Sequence, residues 1–155
     1  MQLYLLRHAD ADTIAAQDDD RHLSEKGISQ AQRAARFCEA HEVVPRLILT
    51  SPIRRAHQTA KFMAEHLRVE VKIVRWLACG AQPEKVVHEL RAFDADRAVM
   101  IVGHEPDFSH LIAHLIGATR HDTIHVRKCS LTSLELFDYA AGGAKLDFSI
   151  PPKLM

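Results

Sequence analysis

The sequence predicts an α/β fold, a three-layer α/β/α sandwich around a mostly parallel central sheet. Short apolar runs alternate with stretches of helical period from Leu3 to Gly117, which is the pattern of successive strand-helix-strand units. The apolar runs end abruptly at polar junctions, Arg7-His8, Ser51-Pro52 and Gly103-His104. Beyond them, two more strand-like segments flank Gly142-Gly143 and read as a closing hairpin.

The first strand is Leu3-Tyr4-Leu5-Leu6, ending at Arg7 and His8. From Ala9 to Leu23 the chain is polar and carries Asp10, Asp12 and the run Asp18-Asp19-Asp20. A connection of that length without an apolar period is often functional. Ser24 then caps a helix with Ile28, Ala31, Ala35 and Cys38 on one face and an end near His41. Arg46 to Thr50 is a second strand, followed by Ser51-Pro52 and a helix running to Leu67, with the proline in its first turn. Val71 to Trp76 reads as a third strand, and a turn around Gly80 leads to a helix from Pro83. Ala98 to Val102, the most apolar run, is a fourth strand that passes directly into Gly103-His104-Glu105-Pro106. Pro106 opens another helix and Gly117 closes it. Ser130 to Phe137 and Lys145 to Ile150 are the late strands.

With 155 residues, 47% of them hydrophobic, the chain is expected to form one domain over 1–155, with a real core and no room for a separate cap. Lys plus Arg (20) balances Asp plus Glu (20), for a formal net charge of +0. Any attraction for anions must therefore be local, and nucleic acid is not expected as a partner. Cys38, Cys79 and Cys129 are odd in number and form no C-x-x-C pair, which reads as reduced thiols in a cytosolic protein. No signal-type segment or bilayer-length apolar window is present, so a cytoplasmic protein without a membrane partner is expected.

Three strand-to-helix junctions carry Arg7-His8, Arg54-Arg55 and His104. A parallel sheet brings such carboxyl ends to one edge, where open α/β sheets bind ligands. That suffices for an anion pocket. Four ordered blocks then invite comparison: Leu6-Arg7-His8-Ala9; Arg21-His22-Leu23-Ser24 with Gly27 and Gln30-Ala31; Ser51-Pro52 with Arg55-Ala56 and Gln58-Thr59-Ala60; and Gly103-His104-Glu105-Pro106. Together they resemble the histidine phosphatase superfamily, the phosphoglycerate-mutase-like group, and most of all its compact SixA-type phosphohistidine phosphatases. Ala9 stands where many members carry glycine, a mark of the short phosphohistidine branch.

The resemblance implies a phosphoglycerate-mutase-like fold and a set of roles. His8 is the implied nucleophile, forming a transient phosphohistidine. Arg7, Arg55 and His104 are the implied catalytic donors to the phosphoryl oxygens, and Arg21 a further phosphate contact. Ser51 either donates to phosphate or begins a turn with Pro52. Arg55, not Arg54, fits the Arg-Ala-x-Gln-Thr-Ala register, so Arg54 should face the rim. A nucleophilic histidine must be neutral, and neighbouring arginines disfavour its cationic form. No metal and no cofactor is implied.

Other features have plainer readings. His110 and His114, four apart, fit an ordinary helix face better than a metal pair. The acidic run fits a solvated loop, with a salt bridge to Arg21 or repulsion of the wrong phosphates as the alternatives.

The leaving group is the sharper question. Many superfamily phosphomonoesterases place a carboxylic acid between the second helix and the Gly-His strand, but Trp76 to Pro83 offers none before Glu84. An alkoxide needs general-acid help, whereas the imidazole of phosphohistidine leaves more readily. Asp10, Asp12 and Glu105 stay open as donors from another direction. The expected activity is dephosphorylation of phosphohistidine on a signalling protein, releasing inorganic phosphate, at a site left open by the small size of the chain. The alternatives are a phosphomonoesterase for a small phosphorylated molecule and a phosphate-binding signalling module without turnover. A mutase is disfavoured by the missing acid.

Overall fold

The computed structural model describes residues 1–155. Six strands, β1 (Gln2–Arg7), β2 (Leu47–Thr50), β3 (Glu70–Ile73), β4 (Ala98–Gly103), β5 (Leu131–Leu136) and β6 (Ala144–Ile150), form one sheet in the order β3-β2-β4-β1-β5-β6. The first four run parallel, and β5 and β6 complete the sheet antiparallel. The helices are α1 (Glu25–Ala40), α2 (Arg54–Leu67), α3 (Pro83–Leu90) and α4 (Asp107–Ile116).

Period-two alternation in the central strands divides the core between two faces. Leu3, Leu5, Val99 and Ile101 meet Leu90 of α3 and Phe108 and Leu111 of α4. Leu6, Met100 and Val102 meet Ala31 and Ala35 of α1 and Ala60 and Met63 of α2. The result is the expected three-layer sandwich. Full burial of each large aliphatic side chain contributes about 1.5–3 kcal/mol, and Leu3, Leu5 and Leu6 are all completely buried in β1. The strand that delivers Arg7 and His8 is therefore anchored at the centre of the sheet. No helix is long and apolar enough to cross a membrane.

Two boundaries differ from the sequence reading for local reasons. Pro52 lies ahead of α2, because Ser51 Oγ accepts from the Ile53 N–H at 3.2 Å and turns the chain before Arg54 begins the helix. β3 ends at Ile73, opposite Thr50 at the end of β2. With no partner left to pair, Arg75–Leu77 coils into a short 3-10 helix instead of continuing as strand to Trp76.

The 9–23 connection is folded back on itself by an antiparallel bridge between Ala11 and Leu23 and by a 3-10 turn at Asp18–Asp20. Its base is pressed against α1. Ser24 caps that helix through Gly27 N–H at 3.1 Å, and its own N–H donates to the Asp10 carbonyl at 3.1 Å. A Cβ on Gly27 would sit 1.9 Å from that carbonyl oxygen, so only glycine allows α1 to approach the loop that follows His8.

Candidate active site

His8 is the first residue beyond β1. Its N–H donates to the Gly103 carbonyl at 3.0 Å, and its carbonyl accepts from Cys129 N–H at 3.1 Å. Neighbouring strand ends thus fix its backbone. In the ring, Nδ1 lies 2.8 Å from the Ala9 carbonyl. A carbonyl can only accept, so Nδ1 carries the proton and Nε2 keeps its lone pair. That lone pair faces Arg55 Nε–H at 3.3 Å. Burial pushes the His8 pKa down to about 3, overriding the opposing Ala9 bond and helped by His104, Arg55 and Arg7. The ring is neutral throughout the physiological range.

Arg55 is the second residue of α2 and only 4% exposed, whereas Arg54 points outward and binds His22 Nε2 at 2.8 Å. The neighbours of Arg55 explain the rest of its sequence block. Thr59 Oγ1 accepts from Ala9 N–H at 3.0 Å and donates to the Arg55 carbonyl at 2.8 Å. Gln58 Oε1 accepts from Leu23 N–H at 2.8 Å, and Gln30 Oε1 of α1 accepts from Asp10 N–H at 2.9 Å. These side chains fasten both ends of the 9–23 connection to the helices. The sequence reading missed their holding role, although Gln30, Gln58 and Thr59 all stood in the recognised blocks.

His104, the first residue beyond β4, has its ring centroid 5.3 Å from that of His8. Burial, then Arg55 and Arg7, lowers its pKa to about 4. Ser51 is fully buried, and its Oγ lies 2.8 Å from His104 Nε2. That oxygen also accepts from Ile53 N–H, and a Ser51 hydroxyl that donates to Nε2 places the His104 proton on Nδ1. Ser51 both begins the turn and orients His104 from behind.

Arg7 donates through one terminal nitrogen to the Val126 carbonyl at 2.8 Å, and Arg21 pairs with Asp18 at 2.8 Å. Arg7 Nε, Arg21 Nε and His104 Nδ1 are all buried without a partner. An unsatisfied buried donor costs about 1–3 kcal/mol. Arg7 and His104 both act on the neutral His8 ring, and Arg21 is tied to Arg55 through Asp18, so the unpartnered nitrogens suit an oxyanion ligand.

Asp18 was not recognised as a partner of Arg55. Its carboxylate lies 3.1 Å from that guanidinium while also holding Arg21, and its carbonyl accepts from Arg55 at 2.9 Å. Desolvation raises the Asp18 pKa, but Arg55 and Arg21 outweigh it and hold the carboxyl below its usual range. The acidic run is thus more than a solvated loop. An ionised oxygen sits where an anionic ligand would meet Arg55, and His8 is only 5% exposed. Where an open site was expected, His8 is nearly buried and the 3-10 turn brings Asp18 onto Arg55 at the start of α2.

Two of the three open proton-donor candidates, Asp10 and Glu105, have other engagements. Burial raises the Asp10 pKa, but hydrogen bonds from Lys128 and Ser24, each 2.7 Å long, hold it low. Asp12 is exposed, and Glu105 accepts from Ser109 N–H at 3.1 Å in the first turn of α4. Glu84 lies 3.6 Å from His114, and His110 packs edge-on against His121, so the two helix histidines have separate partners. Between α2 and β4 the group near Arg55 is Cys79, with Sγ at 3.9 Å and a thiol pKa raised by burial. Asp107, another residue missed from sequence, holds that loop by accepting from Gly80 and Ala81 N–H at 2.9 and 3.2 Å.

The neutral rings carry a pH signature. Unfolding exposes His8 and His104 to ordinary histidine behaviour near 6.5, whereas folding lowers them to about 3 and 4. Their contribution is fully present above pH 6.5 and is lost as pH falls toward 4, because only the unfolded chain takes up those protons in that window. Thermal melts should show Tm level above neutrality and falling between pH 6.5 and 4. His8→Gln/His104→Gln protein should fall less steeply over that window. Parallel profiles would contradict the assigned protonation states.

Residues 3–78 match the family model described as histidine phosphatase superfamily (branch 1). A phosphohistidine phosphatase SixA homolog from Haemophilus influenzae is 30% identical over 130 residues, covering 76% of this chain and 78% of that protein. The chain belongs to the histidine phosphatase superfamily. Phosphohistidine phosphatase SixA from Escherichia coli is 27% identical over 119 residues, 74% of each chain. A structure of the protein histidine phosphatase SixA complexed with tungstate superposes with a TM-score of 0.89 over 99% of both chains at 23% identity, which establishes the shared fold. This histidine phosphatase is therefore a hydrolase of the SixA type.

Proposed function

We propose that this phosphatase removes the phosphoryl group from phosphohistidine on a cytoplasmic signalling protein. His8 Nε2 attacks phosphorus, the phosphorus–nitrogen bond of the substrate breaks as its imidazole, protonated on the other ring nitrogen, leaves in neutral form, and the phosphoryl group passes to His8. Water then attacks the phosphorylated His8, a proton is lost, and inorganic phosphate and neutral imidazole are released. Arg7, Arg55 and the Nδ1–H of His104 donate to the equatorial oxygens, where phosphoryl transfer concentrates charge. Arg21 joins them once its partner Asp18 is displaced from Arg55 by the substrate oxygens.

The observation that carries the substrate class is the lack of a carboxylic acid poised to protonate a leaving group. Asp18 is held ionised beside Arg55, and Cys79 faces Arg55 from the loop where a catalytic acid was sought. Imidazole departs without such help and alkoxide does not. The names of the Escherichia coli and Haemophilus influenzae relatives support the same substrate. A second reading, hydrolysis of a small phosphate ester, draws on the 5% exposure of His8, which suits a small ligand.

Turnover of a phosphohistidine protein, an aryl phosphate and an alkyl phosphate on one preparation decides between them. We expect good turnover of phosphohistidine and measurable cleavage of the aryl ester. The alkyl ester should lag the aryl ester by at least about a hundredfold in kcat/KM, the usual contribution of a general acid. A preference for the alkyl ester would replace the phosphohistidine reading with the small-molecule one.

A further inference from the structure

A groove of about 580 Å³ opens beside the site and shares Arg7 with it. Its cations are Arg7, Lys26, Arg33, Arg127, Lys128 and Lys153, drawn from the end of β1, α1, the segment before Cys129 and the carboxyl-terminal tail. The one acid in the lining, Asp10, is bound to Lys128 at 2.7 Å. None of the other five cations has a carboxylate within salt-bridge distance. Arg33 Nε is buried without an acceptor. In a chain whose positive and negative residues balance at 20 each, this is a local excess of positive charge.

We propose that the groove docks an acidic segment of the phosphoprotein substrate, next to its phosphorylated histidine; the inference rests on the phosphohistidine reading. No Val, Leu, Ile, Met, Phe, Tyr or Trp lines the groove, and its one aromatic ring is that of His125, so it lacks the succession of aromatic rings on which a single strand stacks its bases. The cations are spread over separate elements of an open trough, which matches carboxylates spaced along a chain. Because Arg7 belongs to both surfaces, a docked segment leads its neighbouring phosphohistidine toward His8. Complementary charge of this kind raises encounter rate and selects among partners.

The test uses Lys26→Glu/Arg127→Glu/Lys153→Glu protein, whose altered side chains are exposed and hold none of the catalytic groups. Fluorescence anisotropy reads binding of a short Asp- and Glu-rich peptide, a matched Asn- and Gln-rich peptide, and tripolyphosphate as competitor. Turnover is measured on phosphohistidine peptides with acidic or neutral flanks and on an aryl phosphate. The wild type should bind the acidic peptide in a salt-sensitive way, and the variant at least about tenfold more weakly. The variant should keep aryl phosphate turnover within about twofold, which also reports an intact fold, and lose the KM advantage of acidic flanks. Equal binding of both peptides, unchanged binding by the variant, or binding of tripolyphosphate alone would overturn the docking proposal. If the acidic peptide docks but neither phosphohistidine peptide is turned over, docking stands and the phosphohistidine reaction falls. If both are turned over equally by both proteins, the reaction stands and docking falls.

Discussion

His8→Ala should reduce turnover by at least about ten-thousandfold, the scale expected when a covalent nucleophile is removed, while the protein stays folded. The bonds that hold position 8 in the sheet are made by its backbone, to Gly103 and Cys129, and alanine retains them. What is lost is the ring, its bond to Ala9 and the acceptor facing Arg55 Nε. Arg55 also binds Asp18, so the guanidinium is not left without partners. A single turnover with labelled substrate, quenched in base because a phosphorus–nitrogen bond survives base and not acid, should leave label on wild-type protein and none on the variant. Wild-type-like turnover by folded His8→Ala protein would remove His8 from the nucleophile role. Loss of turnover with undiminished label would move the phosphorylated group elsewhere.

The features legible in the sequence were those set by short-range rules. Arg7-His8 and His104 stand at the ends of apolar strands and Arg55 in the first turn of the helix after β2, and parallel pairing, with Leu6 opposite Val102 and Leu49 opposite Ile101, brings those strand ends together. The choice of Arg55 over Arg54 came from the register that the family resemblance implies, and helix geometry then turned Arg54 to another side. Features made by distant contacts were not legible. Asp10 was an open proton donor until Lys128, 118 residues away, was seen to hold its carboxylate. Asp18 lies 37 residues from Arg55, and its role depends on how one 3-10 turn docks on α2. Neither period nor composition encodes that docking. The basic groove was hidden for the same reason: its cations are dispersed through a neutral sequence and converge only when α1, the segment before β5 and the tail pack together.

Arg55→Ala should lower kcat/KM by at least about a hundredfold, because a preorganised donor to transition-state charge is typically worth that much or more. Arg54→Ala should stay within about threefold, since exposed polar contacts such as its bond to His22 contribute little. Arg55→Lys should rescue little. Arg55 presents Nε to His8 and its terminal nitrogens to Asp18 at once, and a point-charge ammonium cannot reproduce that fork. Asp18→Ala supplies the contrast in sign. In the free protein Asp18 competes for the nitrogens that an incoming phosphoryl group needs, so its removal should lower KM for a small aryl phosphate. Arg55→Ala, by contrast, should chiefly lower kcat, because its donation grows as the equatorial oxygens gather charge. Steady-state kinetics on the four variants separate these effects. If Arg54→Ala proves the more damaging, α2 is rotated relative to the site. If Asp18→Ala raises KM instead, Asp18 holds Arg55 in a productive pose and does not stand in for the substrate oxygens.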